Sequence, residues 1–168
     1  MKTLITYSTL TGNTKKVCEA AAEAFLNVEI KDISEVSSLD YDLIIVGAWI
    51  DKGTADTKAI RFIEKIKGKK TAFIFTLGAY PDSQHAMDCI VRIKELFEKG
   101  GNEVLGHYHC QGAVDPKLIE MMKTKFGPDH PHGPNPERIK RWEDASKHPD
   151  ENDLKNAYNY FKKLSANL

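Results

Sequence analysis

Ser8-Thr9-Leu10-Thr11-Gly12-Asn13-Thr14 decides how this chain folds. It follows an apolar run, Leu4-Ile5-Thr6-Tyr7, that reads as a strand. It leads into an Ala-rich segment where Val17, Ala20, Ala21, Ala24 and Phe25 fall at helical spacing. Four hydroxyls (Ser8, Thr9, Thr11, Thr14), one glycine and a helix start therefore share one short loop. Free N–H groups and the positive end of the helix dipole face any anion held there. Ser and Thr hydroxyls rotate to donate, and Gly12 lets the backbone come close. One Ser or Thr suffices as a helix cap, so four hydroxyls at a strand's carboxyl end favour a phosphate site.

Outward from this loop, apolar runs alternate with helical patterns. Val28–Ile30 reads as a short strand near an edge, and Leu43-Ile44-Ile45-Val46 as a central parallel strand, apolar on both faces. Ala59, Ile60, Ile63 and Ile66 mark a helix, followed by a buried strand, Ala72-Phe73-Ile74-Phe75. Ala86, Cys89, Ile90, Ile93 and Phe97 line a helix stopped at Gly100-Gly101, and Val104-Leu105 opens a fifth strand. Such alternation predicts an α/β domain with a parallel sheet and helices on both faces. Ligands on such sheets bind beyond the carboxyl ends of the strands. The loops after Val46 and Phe75 share that end with the Ser8 loop.

After position 113 the pattern changes. Asp115-Pro116 caps a helix carrying Leu118, Ile119, Met122 and Phe126. The segment 127–149 lacks apolar periodicity at its start and is polar throughout, so it reads as a surface excursion. A last helix carries Leu154, Ala157, Phe161 and Leu164. One domain, 1–168, is expected, with 1–113 as ligand-binding core and 114–168 as C-terminal helices.

The chain has 24 Lys plus Arg and 24 Asp plus Glu. That balance gives no reason to expect nucleic acid or an anionic membrane as partner. With the first strand opening at Lys2, no signal peptide is expected, and no apolar run spans a bilayer. Three cysteines, Cys18, Cys89 and Cys110, read as free thiols in a reducing cytoplasm.

The Ser8–Thr14 loop, in its strand-to-helix setting, resembles the phosphate loop of flavodoxins. The resemblance implies FMN as cofactor and a doubly wound five-stranded parallel sheet of order 2-1-3-4-5, with extra C-terminal helices. In that family the two other flavin loops follow the third and fourth strands. Here they read Gly47-Ala48-Trp49-Ile50-Asp51-Lys52-Gly53 and Thr76-Leu77-Gly78-Ala79-Tyr80-Pro81-Asp82. By resemblance, Ser8, Thr9, Leu10, Thr11, Gly12, Asn13 and Thr14 hold the phosphate. Ala48, Trp49, Ile50, Asp51, Lys52 and Gly53, with Leu77, Gly78, Ala79, Tyr80 and Asp82, hold the isoalloxazine. Trp49 and Tyr80 stand where flavodoxins offer stacking rings. Asp51 and Asp82 either accept from the polar edge of the ring or start turns.

The stretches Asp51-Lys52-Gly53-Thr54-Ala55-Asp56 and Leu77-Gly78-Ala79-Tyr80-Pro81-Asp82-Ser83 resemble those of small flavodoxin-like proteins of anaerobic bacteria, some of which occur with bile-pigment (tetrapyrrole) reductases. Many flavodoxins carry glycine after the tryptophan, where a peptide flips toward the half-reduced flavin. Ile50 stands there instead, and Gly53 is the nearby residue that can supply such freedom. Flavodoxins are usually acidic and this chain is neutral, so steering toward a basic partner is weaker.

The implied function is an electron carrier with a reductase as donor and an acceptor enzyme as partner, a monomer or weak dimer with no catalytic side chain. Two alternatives are an NAD(P)H-dependent FMN quinone-type reductase and a flavin-free binding or scaffold domain. Other nucleotide and phosphate chemistries lack their signatures. There is no G-x-G-x-x-G after the first strand, no GxxxxGK[ST], no acidic pocket for a phosphoacceptor, and no cysteine with arginine six residues on. Lys15 and Lys16 diverge on their helix and read as solvated. His107 and His109 are expected on a solvated surface rather than at a metal. Arg138, Lys140, Arg141 and Trp142 read as a solvated helix face with Trp142 packed inward, or as a docking surface.

Overall fold

Leu43-Ile44-Ile45-Val46 lies at the centre of the sheet, as its two apolar faces require. The computed structural model describes all residues, Met1–Leu168. In chain order the elements are β1 (Thr3–Tyr7), α1 (Asn13–Ala22), β2 (Val28–Asp32), a 3-10 turn (Ile33–Glu35), β3 (Leu43–Asp51), β4 (Thr54–Ala55) and α2 (Thr57–Ile63). There follow β5 (Lys70–Leu77), α3 (Gln84–Glu98), β6 (Glu103–Gln111), α4 (Pro116–Lys125), α5 (Pro136–Ala145) and α6 (Glu151–Ser165). The parallel strands are ordered β2-β1-β3-β5-β6. Strand β4 is extra and pairs antiparallel with the end of β3. With that hairpin strand set aside, the order is the expected 2-1-3-4-5.

Alternation along the strands divides the core into two layers. Leu4, Ile44, Val46, Phe73 and Phe75 pack against Phe62 and Ile63 of α2 and Cys89, Ile93 and Phe97 of α3. On the other face Ile5, Leu43, Ile45 and Ile74 meet Val17, Cys18 and Ala21 of α1 and Ala157 and Phe161 of α6. Ile66 is buried as expected but lies beyond α2. The chain tightens there into i→i+3 bonds, Lys65 N–H to the Phe62 carbonyl and Ile66 N–H to the Ile63 carbonyl, each 3.0 Å. At Gly47 in β3, helix α1 comes so close that a Cβ would collide with Cys18 Sγ. No helix is long and apolar enough to cross a membrane.

The histidines of β6 correct the expectation of a solvated surface. His107 stacks on Phe73 with ring centroids 5.2 Å apart, and His109 on Phe75 at 4.8 Å. His109 Nε2–H donates to the Pro81 carbonyl at 2.9 Å, since a carbonyl only accepts. Burial, with His109 beside it, holds the His107 pKa below its ordinary value. Cys110 points to the opposite face, into the layer under α6. Alternation fixed which side each residue takes, but not that the phenylalanines of β5 would cover the imidazoles.

Asn102 clasps the end of the molecule away from the α1 loop. Its side chain accepts from Lys69 N–H at 3.0 Å and donates to the carbonyls of Ile66 (3.0 Å) and Phe97 (2.9 Å). The residue is buried, so its loss strands backbone groups away from water. Asn102→Ala is expected to cost about 3 kcal/mol and to lower Tm by roughly 6–12 °C in a thermal melt. An unchanged Tm would contradict this clasp.

Candidate functional site

The loop from β1 to α1 is held from several sides. Ser8 N–H donates to the Gly47 carbonyl at 2.9 Å, and Ser8 Oγ donates to Asp56 Oδ1 at 2.8 Å. Thr14 Oγ1 and Thr76 Oγ1 lie 2.9 Å apart, and Asn13 Nδ2 donates to the Ala113 carbonyl at 3.0 Å. The loop is thus tied to β3, β5 and the segment after β6. Gly12 caps α1 in the left-handed region, φ 95°, without a side-chain bond to the helix. All other helices carry a side-chain cap: Asp56, Ser83, Asp115, Asn135 and Asp150. The amides of Thr9, Leu10, Thr11, Asn13, Thr14 and Lys15 find no partner within the chain, while Gly12 N–H reaches Thr9 Oγ1 at 3.0 Å. Open amides and hydroxyls at a helix start have the chemistry that suits an anion.

Beside it, β3 runs on into a hairpin. Lys52 (φ 50°) and Gly53 (φ 82°) form its two-residue turn, both in the left-handed region. The Trp49 carbonyl accepts from Asp56 N–H at 3.0 Å, Ile50 lies opposite Ala55, and Asp51 opposite Thr54. The Gly53 carbonyl accepts from Arg92 Nη1 at 2.9 Å. Asp51 pairs within the hairpin, as a turn-starting residue does. After β5, Ser83 Oγ donates to the Tyr80 carbonyl at 2.6 Å, and Tyr80 Oη donates to Asp144 Oδ2 at 2.8 Å. That bond, with partial burial, raises the Tyr80 pKa.

A cavity of about 590 Å³ opens between these loops. Of the expected residues it brings together Thr9, Leu10, Thr11, Asn13, Thr14, Trp49, Ile50, Gly78, Ala79 and Tyr80. The others stand outside it. Ser8 is buried behind the loop, its hydroxyl committed to Asp56. Gly12 forms the cap, and Ala48 and Leu77 belong to the core. Asp51 lines a smaller neighbouring cavity of about 150 Å³, with Ser8, Trp49 and Asp56. Lys52 and Gly53 make the hairpin turn, and Asp82 is exposed in the turn before α3. Lys15 pairs loosely with Glu19 at 3.8 Å, on the exposed side of α1.

Sequence reading missed a fourth wall. Thr76 and the segment Gly112-Ala113-Val114-Asp115 line the cavity, and a Cβ on Gly112 would crowd Asn13 and Thr76. Leu118 and Met122 of α4, His132, and Arg138, Arg141 and Trp142 of α5 complete it. The stretch taken for a surface excursion therefore folds back over the carboxyl ends of the strands. Trp142 and Ala145 are buried, and Ala113 N–H donates to the His148 carbonyl at 2.9 Å. Asp56 was also missed. It caps α2 through the amides of Lys58 and Ala59, it accepts from Ser8, and its Oδ2 has no partner. The Asp-Thr-Lys-Ala start of α2 signals a cap, but nothing local signals the bond to Ser8.

The flavodoxin domain model matches residues 4–162. The flavodoxin-like domain-containing protein BilS of Clostridioides difficile is 33% identical over 178 aligned positions, covering 98% of this chain and 96% of BilS. The C-terminal third is thus shared with that relative. A Streptococcus pneumoniae flavodoxin superimposes with a TM-score of 0.63 at 14% identity, covering 100% of both chains. A Lactobacillus acidophilus flavoprotein, solved in complex with FMN, gives a TM-score of 0.53 at 18% identity, covering 65% of this chain and 93% of its own. With its phosphate-type loop, its strand order and a domain match across nearly its whole length, this chain belongs to the flavodoxin family.

Proposed function

We propose that this chain is an FMN-binding electron-transfer protein that carries electrons between a reductase and an acceptor enzyme. One observation carries the reading: among the α-helices α1 alone lacks a side-chain cap, and it opens onto a cavity of about 590 Å³. The residues present fit FMN. The amides of residues 9–11 and 13–15 and the hydroxyls of Thr9, Thr11 and Thr14 meet a phosphate dianion without a lysine or arginine in that loop. Trp49 and Tyr80 offer flat apolar surface to a ring system, with Gly78 and Ala79 leaving room between.

FMN, when bound, supplies the electron-transfer chemistry, and the protein sets potential and access. Thr14 and Asn13 orient the cradle through Thr76 and Ala113. Asp56 fixes Ser8 and so the direction in which the loop leaves β1. Tyr80 is steadied by Asp144. The likeness to proteins that occur with bile-pigment reductases makes such a reductase the acceptor to test first.

The purified protein is expected to bind FMN at least tenfold more tightly than riboflavin in a fluorescence-quenching titration, because riboflavin lacks the phosphate. Loaded with FMN, it is expected not to consume NADPH by itself. Equal affinity for the two flavins would remove the phosphate cradle from the account, and steady NADPH oxidation would favour a reductase.

Stacking on the electron-rich indole of Trp49 disfavours negative charge on the reduced ring. Trp49→Ala is expected to raise the more negative of the two reduction potentials in a spectroelectrochemical titration. A potential that stays where it was would argue against stacking at Trp49.

A further inference from the structure

Arg138 and Arg141 lie one turn apart on α5, and both line the cavity that also holds Trp49 and Tyr80. Their neighbours on the helix are paired: Lys140 meets Asp144 at 2.8 Å, and Asp144 also accepts from Tyr80. The two arginines are not. Neither enters an ion pair, and the one hydrogen bond from either guanidinium to the protein is Arg138 Nη1 to the Gly133 carbonyl at 3.3 Å. The carboxylate on the cavity wall, Asp115, is occupied as the cap of α4, accepting from Lys117 N–H at 2.9 Å. Two half-buried cations thus face one cavity with no anion from the protein. Such a like-charge pair is unfavourable unless a ligand neutralises it. The pair is close enough to register: burial, and then the charge of Arg141, lower the Arg138 pKa.

Three sources could bring the anion: the phosphate of FMN, its reduced ring, or a second small molecule. The phosphate already has the open start of α1. Helix α5, by contrast, is docked on the loop after β5 through Tyr80 and Asp144, and Arg141 lies near enough to Tyr80 for its charge to bear on that hydroxyl. On the FMN reading, on which this inference rests, that loop borders the ring. Taking up two electrons and one proton from an external donor, the neutral isoalloxazine becomes a monoanion. We propose that Arg138 and Arg141 form a positive wall for the ring of FMN, stabilise the charge it gains on reduction, and so raise its potential. They act on the cofactor from the C-terminal segment, against the opposing effect of Trp49.

The test uses the full chain loaded with FMN, with Arg138→Gln, Arg141→Gln and the double variant, reduced stepwise with dithionite. Each single variant is expected to bind oxidised FMN within about threefold of the parent and reduced FMN about tenfold more weakly. For a two-electron couple each tenfold loss of reduced relative to oxidised affinity lowers the midpoint potential by roughly 30 mV. Arg141→Lys, which keeps the charge, is expected to restore most of the potential, whereas lost packing alone would not be rescued that way. Unchanged potentials in variants that hold FMN would overturn the proposal. So would a loss of oxidised FMN affinity with riboflavin affinity intact, which would assign the arginines to the phosphate. A parent protein that takes up no FMN would instead overturn the cofactor reading itself.

Discussion

A row of backbone amides left without partners at the start of α1 is the constraint around which this molecule is arranged. Unpaired N–H groups cost free energy, and the other helices here avoid that cost with an Asp, Asn or Ser cap. Helix α1 has Gly12 instead, with no side chain to fold back. On the FMN reading proposed above, an anion in the cradle would cancel the deficit and so link ligand binding to folding stability. The surroundings make sense in that light. Gly47, Asp56, Thr76 and Ala113 each hold one point of the loop, from β3, the start of α2, β5 and the segment after β6. A cradle made of fixed dipoles works only if the dipoles are kept aimed.

The C-terminal third turns an open crevice into a walled cavity. Trp142 is buried, α4 contributes Leu118 and Met122 while burying none of its own residues, and Tyr80 and Ala113 are fastened to Asp144 and His148. The chain is neutral as a whole, so long-range steering is weak, yet the charge inside the cavity is uneven. An electron-rich indole and two unpaired guanidiniums share the same space. Local electrostatics of that kind act on a bound group far more strongly than net charge does, because the wall is partly shielded from water.

Much of this was legible in the sequence. The five parallel strands and the hydroxyl-rich loop followed from apolar runs of strand length, their alternation with helical spacing, and the crowding of hydroxyls around Gly12, and the strand order from the resemblance to flavodoxins. Trp142 packs inward, as the polar helix around it suggested. What escaped depended on contacts between distant residues. Ala48–Gly53 reads as a flavin loop by resemblance, and the hairpin at its end shows only when Thr54-Ala55 pairs back onto β3. The histidines of β6 have the right alternation for a surface, and the phenylalanines that cover them come from a neighbouring strand. Arg138 and Arg141 sit in a segment without apolar periodicity, so no local signal says that it returns to the site. Asp56 reads as a cap and nothing more until Ser8, 48 residues earlier, donates to it.

The most direct test of the central claim follows individual backbone amides by ¹H–¹⁵N NMR while FMN, and separately riboflavin, is added to the protein. The account predicts large downfield proton shifts for Asn13, Thr14 and neighbouring loop amides with FMN, and much smaller ones at the same positions with riboflavin. Shifts confined to the Trp49 and Tyr80 loops, with the start of α1 unmoved by FMN, would contradict it.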